Sequence, residues 1–157
     1  IVEVSAMMDL VKDDKVEYDR ICQINVTTET GLQGVIVQDV ITEPAQKKVR
    51  VQGTSGYFEW EASKESNYDA LTYRDKDKNK TEQLFFKDRP KDFQGEIDHL
   101  DELLSSQGSV PSSPIAIERG MDTMLVVAAA HLSVKNKCNV RIDYKKGFVS
   151  EALSIIR

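Results

Sequence analysis

This chain predicts an α+β fold, and three observations carry the prediction. Through the first half of the 157 residues, apolar and polar residues alternate with the period of a half-buried strand. In the second half the apolar spacing switches to that of helices. The strand-like segments are joined mostly by short polar turns, which makes their pairing antiparallel.

The elements follow in order. Val2, Val4, Ala6, Met8 and Leu10 alternate, as do Tyr18, Cys22, Ile24 and Val26, with Asp19, Gln23, Asn25 and Thr27 on the opposite face. Residues 32–41 differ: Ile36 and Val40 lie on one face, and Val35, Val37 and Ile41 on the other. A strand apolar on both faces is expected at the centre of a sheet, or against a second surface. Val49-Arg50-Val51 and Phe58-Glu59-Trp60 flank Gly53-Thr54-Ser55-Gly56, the composition of a tight hairpin. Residues 68–74 and 83–86 form another pair, and the charges at 75–80 alternate in sign at a solvated tip.

Phe93, Ile97, Leu100 and Leu104 then make one helical stripe, with Pro90 near the start, where a missing N–H costs little. A loop rich in Ser, Pro and Gly covers 108–114. A second helix is expected from about 118 to 135, and Met121 with residues 124–130 makes it apolar nearly all round. Such a helix needs cover on two sides: the sheet on one, and the first helix or another domain on the other. Residues 138–144 read as a last strand, and 148–156 as a short terminal helix. The resulting picture is one domain, 1–157. It is an open, mostly antiparallel sheet with two main helices packed on one face, the other face being available for oligomerisation.

Hydrophobic residues make up 40% of the chain and charged residues 30%, as in ordinary globular proteins. The net charge of -5 argues against a nucleic-acid partner, which needs a basic surface. No apolar run has the length of a membrane span, so no membrane partner is expected. The chain opens at Ile1 in mid-strand with no leader, which predicts a segment of a longer protein; cytoplasmic localisation is the default.

Cys22 and Cys138 read as isolated reduced thiols, without the paired spacing of a zinc site. His99 and His131 have no ligand at i, i+4 and read as structural; no metal is expected. Tyr57, Phe58 and Trp60 could stack bases, but Glu59 and Glu61 disfavour that, leaving core or interface packing. Gln38 and Asp39, polar in a doubly apolar strand, are candidates for pocket contacts.

Several segments, in order, carry a family resemblance. Val49-Arg50-Val51-Gln52-Gly53-Thr54-Ser55-Gly56 resembles a V-x-G-x-x-G hairpin, and Phe93-Gln94-Gly95-Glu96-Ile97-Asp98-His99-Leu100 an F-x-x-E-I-x-H-F/L helix. Pro114-Ile115-Ala116-Ile117-Glu118-Arg119-Gly120-Met121-Asp122-Thr123 is similar to a P-x-x-x-E-x-G-x-x-T/A-L helix entry. Ala128-Ala129-Ala130-His131-Leu132-Ser133 and Asn139-Val140-Arg141-Ile142 complete the set. Together these resemble the C-terminal domain of the glucose-fructose oxidoreductase/inositol dehydrogenase (Gfo/Idh/MocA) family.

The resemblance implies the sheet domain of an NAD(P)-dependent oxidoreductase, shaping the pocket for a sugar- or polyol-like substrate and building a homo-oligomer through the open sheet face. It implies a Rossmann partner domain with the glycine-rich loop, the Glu-Lys-Pro motif and the catalytic Asp-x-x-x-His motif, none of which this chain contains. NAD or NADP belongs to that full-length protein. None is expected for this chain alone, which is predicted inactive with no catalytic residue of its own. Gly53 and Gly56 have the wrong spacing for a phosphate loop.

Phe93 and Glu96 match positions near the family's substrate pocket, where many relatives carry Tyr in place of Phe. Phe93 is otherwise core on its stripe, and Glu96 either lines the pocket or pairs with Arg89. The substrate-binding candidates are thus Arg89, Phe93, Glu96, His99, Gln38 and Asp39. The alternative is a stand-alone dimeric small-ligand-binding or assembly module.

Overall fold

The structure is a computed structural model that describes residues 1–62, 67–106 and 113–156, the side chains of Arg89 and Asp92 excepted. The loop expected at 108–114 lies outside them apart from Ser113 and Pro114. Along the chain run β1 (Glu3–Lys12), β2 (Glu17–Thr27), β3 (Gln33–Asp39), β4 (Lys47–Gly53), β5 (Gly56–Ala62), β6 (Tyr68–Asp75) and β7 (Lys80–Phe86). Then come α1 (Arg89–Ser105), α2 (Ile117–Asn136), β8 (Asn139–Ile142), two 3₁₀ turns and β9 (Leu153–Ile156). The class is α+β with antiparallel strands. The strands divide between two sheets, in two compact units: 1–41 with 112–157, and 42–111. Among the described residues, no helix is long and apolar enough to cross a membrane.

In the first unit the order is β3-β2-β1-β8-β9. The register sets Val4 against Val26, Ala6 against Ile24 and Met8 against Cys22, so the alternating apolar residues of β1 and β2 share one face. On that face lies α2, burying Leu125, Val126, Ala129 and Ala130 against Val4, Val140 and Ile142. Ala129 and Ala130 are small enough to bring the helix backbone close to the sheet. Each fully buried valine here contributes about 1.5–3 kcal/mol relative to exposure. One extra residue, Arg20, bulges where Asp9 pairs with Ile21 and Leu10 with Asp19, and its guanidinium meets the Asp9 carboxylate at 2.6 Å. The opposite face stays open and carries Ser5, Met7, Asn25, Val35 and Val37.

Two expectations change here. The doubly apolar strand, β3, is an edge strand and not a central one. The chain leaves the sheet after it, so no strand flanks it on the far side; Val35, Ile36 and Val37 remain 67%, 43% and 57% exposed. The terminal helix expected at 148–156 is instead a 3₁₀ turn (Ser150–Ala152), which seats Ala152 in the core, followed by β9 on the free edge of β8. The β-branched Ile155 and Ile156 favour that extended form.

The second unit is a meander, β4-β5-β6-β7. Gly53 pairs with Gly56 across the two-residue turn, and Gly56 has a φ of 147°. A Cβ there would collide with the Arg74 carbonyl, so only glycine fits. Val49, Trp60 and Leu71 align across one face, as do Val51, Phe58 and Tyr73. Arg50, Glu59, Thr72 and Glu82 align on the other. At the β6–β7 tip the Asp75 carboxylate accepts from the Asn79 backbone N–H at 2.9 Å and side-chain amide at 2.8 Å.

Candidate functional site

The predicted site residues fall in both units. Gln38 and Asp39 end β3 in the first, whereas Arg89, Phe93, Glu96 and His99 lie on α1 in the second. On α1, Phe93 and Glu96 are three residues apart and so share a face, and half-buried His99 follows on its flank. Phe93 is 58% exposed, so it is not the core residue the stripe predicted. Among the described residues no strand of the unit packs along α1, which leaves Phe93, Ile97, Leu100 and Leu104 on the surface. The Arg89 side chain lies outside the described structure, and with it any pairing to Glu96.

Adjacent residues of a strand point to opposite faces, and this separates Gln38 from Asp39. Gln38 pairs with buried Cys22, on the face that α2 covers. Asp39 pairs with Ile21 on the open face, and its carboxylate accepts the Ile41 N–H at 3.0 Å. The local bond gives Asp39 a turn-closing role at the end of β3.

A site that the sequence did not single out lies on the face that α2 covers. A groove of about 470 Å³ opens between α2 and β3, lined by Ile1, Ile36, Asp122, Thr123, Val126 and Tyr144. The apolar members make its floor: Val126 comes from the buried side of α2, and Ile36 lies two residues before Gln38 on the same face of β3. The polar members rim it. Thr123 donates its hydroxyl to the Arg119 carbonyl at 3.1 Å, so its oxygen is left as an acceptor. Asp122 is half-buried, and its carboxylate pairs with the Arg119 guanidinium at 3.7 Å. Tyr144 sits at the 3₁₀ turn Tyr144–Lys146. Burial, and then the Asp122 charge, push its phenol above the usual tyrosine range, so it remains a donor at neutral pH.

A carboxylate and two hydroxyls over an apolar floor suit a ligand with several hydroxyl groups. Asp122 and Thr123 stand within the helix-entry motif, which assigns them no role. Their partners Ile36 and Tyr144 are distant in sequence, so no local pattern links them.

On the open face another concavity, of about 550 Å³, is lined by Glu3, Ser5, Asn25, Thr27, Gln33 and Asn139, among others. The Asn139 amide donates to Glu3 at 3.0 Å across this surface. Both cysteines are free, and burial, then the Asp19 charge, raise the Cys22 thiol, opposite to what an activated nucleophile needs. His131 is exposed on α2. Tyr57 lies under the Arg50 guanidinium, 3.9 Å from the ring centre, on the face opposite Phe58 and Trp60, so the three rings form no common stacking platform. Among the described residues no group of three or more His, Cys, Asp or Glu could hold a metal ion. No protein-family model, curated protein or solved structure matches this chain.

Proposed function

We propose that this chain is the sheet domain of a cytoplasmic NAD(P)-dependent oxidoreductase of the Gfo/Idh/MocA type, forming part of the pocket for a sugar- or polyol-like substrate and a subunit contact through its open sheet face. The observation that carries the reading is the groove: Asp122, Thr123 and Tyr144 rim an apolar floor within a sequence motif that resembles the family's helix entry. Support also comes from the sheet, covered by α2 on one face and open on the other. Gln38 and Asp39 at the end of β3, and Arg89, Phe93, Glu96 and His99 on α1, remain proposed substrate contacts.

The glycine hairpin does not fit the phosphates of a dinucleotide. The hairpin glycines Gly53 and Gly56 lie between two strands with no helix start behind them, and the Gln52 amide already donates to both of their carbonyls, at 2.9 and 3.0 Å. Cofactor binding and hydride transfer therefore belong to a Rossmann partner domain, and this chain alone turns nothing over. Its residues orient the polyol and exclude water.

Steady-state kinetics of the full protein on a polyol panel test the assignment. Asp122→Asn raises KM about tenfold, the loss of one hydrogen bond to a charged group. The KM for NAD or NADP stays unchanged. A polyol KM insensitive to Asp122→Asn and Tyr144→Phe together would remove the groove from the site. A dimeric small-ligand-binding or assembly module is the second reading, favoured by the exposed apolar edge of β3.

A further inference from the structure

Among the described residues the two sheets have four edge strands, and three of them carry features that discourage edge pairing. β4 places Lys47, Lys48 and Arg50 along its edge, and β7 places Lys80 and Glu82. β9 has only four residues. Charge and brevity are the usual protections of a free edge. β3 has neither: over seven residues, Gln-Gly-Val-Ile-Val-Gln-Asp, it carries no charge before Asp39 and no proline. Its register with β2 is unbroken from Gln33 to Asp39, so no bulge twists the edge away.

The backbone groups available on that edge follow from the ladder. Thr28 N–H donates to the Leu32 carbonyl at 2.9 Å and Val40 N–H to the Arg20 carbonyl at 3.2 Å. Hydrogen-bonded pairs in an antiparallel ladder recur at every second residue, so Gly34, Ile36 and Gln38 bond to β2. Gln33, Val35 and Val37 then point their N–H and C=O groups outward.

We infer that β3 pairs antiparallel with β3 of a second copy of this chain, about a two-fold axis at Ile36, joining the two five-stranded sheets edge to edge. Val35 and Val37 are symmetric about Ile36. In this register Ile36 faces itself, Val35 faces Val37 of the second copy, and Gln33 faces Asp39. The outward groups of Val35 and Val37 then meet in two hydrogen-bonded pairs, with about four bonds in all at two per pair. No like charges meet. β-Branched side chains flank the axis on both faces of the joined sheet, which accounts for a strand apolar on both faces at an edge. The contact goes beyond the open-face association proposed above, because it uses a different surface of the sheet.

Sedimentation equilibrium on the full chain, with circular dichroism as the folding control, tests it. The wild-type chain should run at the mass of two chains, and Ile36→Lys and Ile36→Glu each at one. The two variants mixed should return to the mass of two, since opposite charges then meet at the axis. Ile36→Cys should give an intermolecular disulfide on mild oxidation, because the axial pair brings the two Cα atoms within bridging range; this readout holds even if the charged variants misfold. A one-chain mass for wild type, a two-chain mass retained by folded Ile36→Lys, or no disulfide in Ile36→Cys overturns the inference. If Met7→Lys on the open face separates the chains and Ile36→Lys does not, the edge contact is wrong and the open-face contact stands.

Discussion

The Ser133 hydroxyl accepts the Ala6 backbone N–H at 3.0 Å, while donating its own proton to the Cys138 carbonyl at 2.6 Å. Strand β8 pairs with β1 only at Glu3 and Val4, so the Ala6 N–H has no strand partner on that side. Ser133, buried at the end of α2, supplies one. The same hydroxyl ties down the Cys138 carbonyl just past Lys137, which closes α2 in the left-handed conformation. One side chain thus joins helix, sheet and chain reversal.

Ser133→Ala leaves a buried N–H and a carbonyl unpaired. Equilibrium urea unfolding should show a loss of about 1–3 kcal/mol. A loss below a few tenths would mean that water replaces the hydroxyl.

Ala130→Leu adds volume where α2 sits closest to the sheet, against fully buried Val4 and Val140. Overpacking of this kind costs about 1–3 kcal/mol, read from the same unfolding curves. Met124→Leu, on the exposed side of α2, should change stability by less than about 0.5 kcal/mol.

Gly56→Ala should cost more than about 1 kcal/mol, because the new Cβ meets the Arg74 carbonyl and the φ of 147° is one that side chains avoid. Gly95→Ala on α1 meets open space and removes a helix-interior glycine. It should be neutral or stabilising by up to about 1 kcal/mol. Thermal melts of the pair show whether the hairpin or the helix tolerates the change.

The Asp75 carboxyl is held below the usual carboxylate range, first by the Asn79 side-chain amide. Its folded pKa is depressed, so its contribution is fully present above the ordinary carboxylate pKa and is lost as pH falls through the folded value. NMR titration should place its midpoint below that of a free Asp, and Asn79→Ala should move it upward. Equal midpoints in both proteins would show that the tip bonds do not persist in solution.

Much of the fold was legible because burial on one face imprints a period. Val4, Ala6 and Met8 lie on the α2 side because they alternate, and Val126, Ala129 and Ala130 mark α2 because they recur at helical spacing. β3 lies at the edge of the sheet and not at its centre, since an apolar pattern records that a surface needs covering but not what covers it. Phe93 and Leu104 carry the same ambiguity: they define a helical face, and the structure leaves that face exposed. At four residues, Leu153–Ile156 was too short for a period to declare a strand. The groove was the least legible part. It is assembled from Ile36, Asp122 and Tyr144, whose proximity exists only once α2 lies on the sheet.

The central claim is that this chain supplies the sheet domain of an NAD(P)-dependent oxidoreductase, and the coding frame upstream of Ile1 tests it most directly. The account predicts a strand followed by G-x-G-x-x-G, then Glu-Lys-Pro and Asp-x-x-x-His, over about a hundred residues or more. A frame that opens with Met just before Ile1 would contradict it and leave the small-ligand-binding or assembly module as the account of this fold.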